Sequence, residues 1–202
     1  MTRDFRRRVG VFALSVVLLV LIGLAHQTYP TRNELTAPIS HRGDAGAPVD
    51  ARRFAIEVDR VELARAVNDP ESSPDSAEAG PGLVWVVVWA TVTATEEPLR
   101  IGNPVLLETA DGYSFAGDTT MDSPLNGFSV VQEPGLGRYG AFAFEVPRER
   151  LSDLSLRVTA SGDLDTRLSA QAVVDLGLDA ARLEEMLDTA ADSVEIAPPE
   201  YR

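Results

Sequence analysis

The chain has 202 residues, with 31 acidic residues against 18 basic ones, all of the latter arginine, and it contains no cysteine. Without cysteine there is no disulfide framework, thiolate metal site or cysteine nucleophile, and without lysine there is no Schiff-base or Ser-Lys chemistry. A formal net charge of −13 repels phosphate backbones, which argues against nucleic acid as a partner.

The first element is a membrane segment. Val9 to Ala25 carries no charge, and Arg6, Arg7 and Arg8 precede it. Val9, Leu14, Leu18, Leu21 and Leu24 sample its apolar surface, and His26 to Tyr29 completes a crossing over residues 9–29. The arginines assign residues 1–8 to the cytoplasm and the rest of the chain to the outside of a plasma membrane crossed once. A cleaved signal peptide is the alternative, because the same stretch ends in Gly23-Leu24-Ala25. Both readings export the folded part. With Asp4 and the four arginines of the cytoplasmic end set aside, fourteen arginines and thirty carboxylates remain outside.

Residues 30–52 read as a flexible linker, rich in Pro, Gly and polar residues and without a sustained period. It contains His41 and an Arg42-Gly43-Asp44 tripeptide, a match expected by chance. Phe54, Ile56 and Val58 then alternate with polar residues, and Val61 and Leu63 resume one position out of step, predicting a strand with a bulge near Asp59-Arg60. Asn68 to Pro81 reads as an acidic loop. Its carboxylates Asp69, Glu71, Asp75 and Glu78 are weak calcium candidates, since their spacing fits no EF-hand, and a solvated loop is the simpler reading.

Leu83 to Thr95 is the strongest strand. Trp85, Val87 and Trp89 share one face and Val84, Val86, Val88 and Val92 the other, a pattern that belongs to a central strand covered on both sides. The tryptophan pair reads as core, with a ligand platform as the alternative. Asp111-Gly112 predicts a hairpin between Pro104–Thr109 and a strand starting at Tyr113. Further strands follow at 128–132 and at Tyr139–Val146, where Phe142 and Phe144 point inward, then around Leu154–Val158, ended by Ser161-Gly162-Asp163, and finally at Leu168–Leu176. The period then changes: Leu183, Met186, Leu187 and Ala190 predict a helix over 180–191 capped by Asp179, docked on the sandwich or presented to a partner, and 197–202 reads as a tail.

The expected architecture is all-β: an immunoglobulin-like antiparallel β-sandwich over residues 53–176, with one N-terminal transmembrane helix and a short C-terminal helix within 177–202. The runs GLVWVVVWATVTATEEPL, VLLETADGYSF, QEPGLGRYGAFAFEVP and LSLRVTA resemble the immunoglobulin-like domain of membrane-anchored bacterial envelope proteins, sometimes labelled telomere-repeat-binding-factor-like. An arginine-only basic set suits the GC-rich genomes of actinobacteria. The resemblance implies the fold and the single anchor, and it supplies no catalytic residues.

Function follows by elimination. Both histidines precede the predicted sandwich, so no Ser-His pair or histidine metal site is expected there. Neither a cofactor nor an enzymatic activity is expected. The leading expectation is an extracytoplasmic protein-binding or assembly module whose partners are the lipid bilayer and another envelope or membrane protein. The alternative is a ligand-sensing, cation-sensing or carboxylate-based hydrolytic domain, with a cleft collecting Asp69, Asp75, Asp118 and Asp122.

Overall fold

A computed structural model describes residues 3–27, 36–127, 129–161 and 168–202, with side chains left aside for 3–11, 25–27 and 161. Tyr29, residues 30–35 of the predicted linker, Phe128 and the predicted Gly162-Asp163 turn lie outside the described residues. The chain divides into two compact units, Met1–Ala37 and Pro38–Arg202.

The first unit contains helix α1, Arg3–Gln27. Its described side chains run from Phe12 to Leu24, and all of them are exposed, so the helix is apolar around its circumference instead of carrying one buried stripe. That stretch is about 20 Å long at 1.5 Å per residue. Among the described residues, no helix is long and apolar enough to cross a membrane.

The second unit is a β-sandwich. Its centre is β5, Leu83–Ala94, which is flanked by β3, Phe54–Asn68, and β9, Arg138–Pro147, both antiparallel to it. The register between β3 and β5 shifts between Val58 and Arg60, where the change of alternation predicts a bulge. Alternation puts Ile56, Val86, Phe142 and Phe144 on the inner face, where they are fully buried. Each such side chain contributes roughly 1.5–3 kcal/mol by leaving water.

The facing sheet has the order β1-β11-β10-β7-β8. These strands are Ile39–Asp44, Ala170–Asp175, Ser155–Ser161, Leu106–Glu108 and Ser114–Ala116. β6, Arg100–Ile101, pairs with the end of β10. Leu107, Leu156, Val158 and Val174 supply this sheet's half of the core. The β7–β8 hairpin turns through Gly112, whose φ of 88° is the left-handed conformation that an Asp-Gly turn requires.

Several expectations are corrected. The linker reading fails from Pro38 onward: β1 pairs in parallel with β11, and β2, Val49–Asp50, pairs with β3. His41 therefore belongs to the sandwich, and Arg42-Gly43-Asp44 lies in a strand opposite Val173–Asp175, not in a displayed loop. Gly43 is needed there because a Cβ would come within 2.5 Å of Val49 Cγ2. At the other end, helix α2 spans Ala180–Asp188, with Asp179 Oδ1 accepting from Arg182 N–H at 2.8 Å and Leu183 buried. It stops short of Ala191 because Ala191–Glu195 forms β12, parallel to β3. The predicted tail contains β13, Glu200–Tyr201, on the edge of β9. The sandwich is thus not purely antiparallel. The strand predicted at 128–132 is absent among its described residues, where Gln132 makes only an isolated bridge to Leu99.

Candidate functional site

Phe142 and Phe144 lie on the inner face of β3-β5-β9, while the outer face carries the predicted tryptophan pair. Trp85 and Trp89 project there beside Val87, Tyr139, Ala141 and Ala143. They are 4% and 7% exposed, so they are core residues and the platform reading falls. Two segments cover them. Residues 191–202 cross the face as a strap, with β12 paired to β3, Ile196 fully buried, Pro199 against Gly140, and β13 paired to β9. The 118–125 segment closes the other side through Asp118 N–H to Ala143 O and Leu125 N–H to Ala141 O, both 2.8 Å.

At its rim this face becomes polar. Trp89 Nε1 donates to Glu62 Oε2 at 2.9 Å, and the Trp89 ring stacks on Tyr139 with centroids 5.6 Å apart. The Arg60 guanidinium lies 4.6 Å from the Trp89 ring centroid and bonds to Glu62 and to the Tyr139 hydroxyl. Burial alone would lower the Arg60 pKa, but Glu62 and Tyr139 outweigh it and hold the guanidinium charged. Arg202 covers the Tyr139 ring at 3.3 Å. Beside this rim, Val61, Leu63, Met186, Ala191 and Val194 line a groove of about 290 Å³ under α2.

The predicted loop Asn68–Pro81 is in part strand: β3 runs to Asn68, and β4, Ser76–Glu78, pairs antiparallel with it. The acidic loop between them is organised around Asp69, which is only 1% exposed. Its Oδ1 accepts from Glu71 N–H at 3.0 Å and Ser123 Oγ at 2.5 Å. Its Oδ2 accepts from Ser72 Oγ at 2.7 Å, Asp122 N–H at 3.0 Å and Ser123 N–H at 2.9 Å. Burial pushes this carboxyl's pKa up. The donors from Ser123, Ser72 and Glu71 outweigh that and hold it below the usual carboxylate value. Five donors occupy the lone pairs a cation would need.

The other acidic candidates do not join Asp69. Asp122 contributes its backbone N–H, and Asp118 Oδ1 caps its own turn by accepting from Thr120 and Met121. Asp75 lines the small pocket beside Asp69, about 80 Å³, but Glu71 and Glu78 are not among that pocket's lining residues. Among the described residues, no group of three His, Asp or Glu side chains could hold a metal ion. The sequence shows the carboxylates of this loop but not the donors that reach one of them from more than fifty residues away.

A second charged cluster had no sequence signal. Asp111 Oδ2 lies 2.7 Å from Arg150 Nη1, and that guanidinium sits 3.6 Å from the Tyr113 ring centroid. A hydrogen bond from Thr109, then Arg150, holds the Asp111 carboxyl below its ordinary range. The cluster pins the β7–β8 turn to the 3-10 turn Arg148–Arg150.

Ser123 contacts a carboxylate, but it is 2% exposed and no imidazole stands between the two groups. His41 lies in β1, where its Nε2 has no hydrogen-bond partner among the described residues.

No family model matches the chain, and no curated protein matches it. Two solved structures are similar in fold. One is an uncharacterized β-sandwich protein from Clostridium difficile 630, 18% identical, with a TM-score of 0.42, covering 73% of this chain and 99% of its own. The other is a conserved hypothetical protein from Bacillus anthracis, 16% identical, with a TM-score of 0.44, covering 63% of this chain and 94% of its own.

Proposed function

We propose that this protein is a single-pass, membrane-anchored component of the bacterial envelope, and that its extracytoplasmic β-sandwich is a protein-binding or assembly module. The observation that carries the anchoring reading is α1. Its described surface is apolar all round, with Phe12 and Leu19 exposed at 72% and 68%, within an uncharged run entered through three arginines. Hydrocarbon is the solvent that suits such a helix. An immunoglobulin-like assignment is supported by strand order: β7-β10-β11 face β3-β5-β9, as strands C-F-G face A-B-E in that fold.

Binding is favoured over chemistry because the two carboxylates with the most elaborate side-chain partners serve structure. Asp69 staples two loops and Glu62 anchors an indole. What remains is a large acidic surface suited to contact. The experiment is capture of the full-length protein from its native membrane in mild detergent, with co-purifying proteins identified by mass spectrometry. A single stoichiometric envelope partner is the expected result. Recovery of the protein alone overturns the assembly reading, and release of the protein by alkaline carbonate overturns the anchor.

A further inference from the structure

The chain joins the sandwich at one pole, and the strand register fixes what else lies there. β1 starts at Ile39, whose N–H bonds to Ser169 O at 2.9 Å, next to Leu168. Gly43 of β1 abuts Val49, which pairs with Ile56, and Gly46 N–H bonds to Val58 O at 2.9 Å, so β1 runs with β3 and Ile39 lies toward the start of β3. Phe54 at that start pairs with Ala94 at the end of β5, and Gly135 N–H bonds to Ala94 O at 2.9 Å, which brings in Leu136. Tyr201 of β13 pairs with Arg138 at the start of β9. Ile39, Leu168, Leu136 and Tyr201 therefore share this proximal pole.

Their exposure sets them apart. Outside α1, six large apolar side chains are exposed among the described residues, and these four, at 50–59%, are the majority. Tyr113 and Leu187 are the other two, and Tyr113 is already covered in part by Arg150. Scattered apolar residues need no explanation, but a set gathered at one end does.

Charge distinguishes the same pole. From Pro38 onward the chain carries thirteen arginines against twenty-nine carboxylates. At the proximal pole Arg52, Arg53, Arg100, Arg138 and Arg202 stand against six carboxylates among the described residues, namely Asp50, Glu57, Glu96, Glu97, Glu133 and Glu200. Among the described residues it is a near-neutral end of an acidic domain. Arginine stems shield apolar surface while the guanidinium reaches phosphate, and tyrosine suits the same boundary; Arg138 lies 4.8 Å from the Tyr201 ring centroid.

Chain length supplies the occupant. Twelve residue steps separate Gln27, where α1 ends, from Ile39. Twelve residues span at most about 40 Å. We infer that the proximal pole is a bilayer-contacting face, seating Ile39, Leu136, Leu168 and Tyr201 at the headgroup boundary of the membrane that α1 anchors. This inference rests on the anchoring reading above. Asp69, just past the opposite end of β3 from Phe54, then lies at the pole away from the lipid.

The cysteine-free chain makes the test direct. Single substitutions Leu136→Cys and Leu168→Cys, with Tyr113→Cys and Leu187→Cys as distal controls, carry an environment-sensitive fluorophore on the full-length protein. All four positions are exposed, so folding tolerates the label, and Ile39→Cys is a further proximal site. The proteins are reconstituted in vesicles of phosphatidylcholine and phosphatidylglycerol containing a headgroup-nitroxide lipid. The expected result is blue-shifted emission at the proximal sites and quenching at least about threefold stronger than at the distal ones. Uniform, water-like emission from vesicles that still float with the protein overturns the pole and leaves the anchor standing. Failure of the protein to float overturns the anchor, and the pole with it. Shielding in native membranes but not in pure lipid assigns the face to a protein and overturns the lipid assignment.

Discussion

Asp69 and Ser123 stand 54 residues apart in the chain, yet the Ser123 hydroxyl donates to the Asp69 carboxylate at 2.5 Å and the Ser123 N–H donates to the same group at 2.9 Å. The contact joins the acidic loop after β3 to the 118–125 segment that seals the tryptophan face. A cluster of carboxylates that looks like a cation site is instead built around one buried acid whose charge is satisfied from within.

Asp69→Asn should therefore cost about 2–3 kcal/mol, because an amide presents N–H groups to donors that need an acceptor. Urea unfolding at neutral pH measures it. The pH dependence follows from the lowered pKa of Asp69 in the folded state. Its stabilisation is complete above the unfolded value of about 3.9 and is lost as pH falls through the lower folded value. The gap between wild type and Asp69→Asn should narrow in that acid window. Parallel stability curves there would show that another group carries the acid response.

Trp89 separates packing from hydrogen bonding. Trp89→Ala should destabilise the sandwich by roughly 3–5 kcal/mol, since the ring is buried and stacked on Tyr139. Trp89→Phe keeps most of the apolar contact and gives up the bond to Glu62, so a smaller loss is expected, near 1–2 kcal/mol. Calorimetric melting of both variants reads the difference. Equal melting temperatures for wild type and Trp89→Ala would return the ring to the surface.

Side-chain pattern made the middle of the fold legible. β5 declares itself because both its faces alternate into packed layers, and the β3 bulge declares itself because the apolar positions change parity between Val58 and Val61. The edge strands have no such signal. Ile39–Asp44 is mostly polar and lies in the sheet because its backbone pairs with β11, a parallel partner about 130 residues later. Ala191–Glu195 looks like the end of a helix and is held the same way by β3. The acidic loop showed its charges but not its donors, since hydrogen bonds from Asp122 and Ser123 leave no mark on the spacing of Asp69, Glu71, Asp75 and Glu78. The proximal pole was equally hidden, because its four apolar residues come from two strand ends and two turns far apart in the chain.

Gly43 tests the reassignment of the Arg-Gly-Asp tripeptide. An added methyl would meet Val49 Cγ2 at 2.5 Å, and Val49 is itself a stiff, buried β-branched residue. Gly43→Ala should destabilise by about 1–3 kcal/mol through overpacking. An exposed linker position would show no loss at all, so chemical denaturation of this variant distinguishes strand from linker.

Ile196 tests the strap. It is fully buried over the tryptophan face, its N–H bonds to Asn68 O at 2.7 Å, and the residues on either side are held by β12 and β13. Ile196→Ala should cost about 2–5 kcal/mol. Stopping the chain after Ala190 should do more, exposing Trp85 and Trp89 together and moving their emission to the red. Trp85 Nε1 has no hydrogen-bond partner among the described residues while the strap is in place, so water reaching it offsets part of the loss. The truncated domain should therefore remain folded, with lower stability and wet tryptophans, as judged by far-ultraviolet circular dichroism alongside fluorescence. Unchanged emission would mean that the 118–125 segment seals the face by itself.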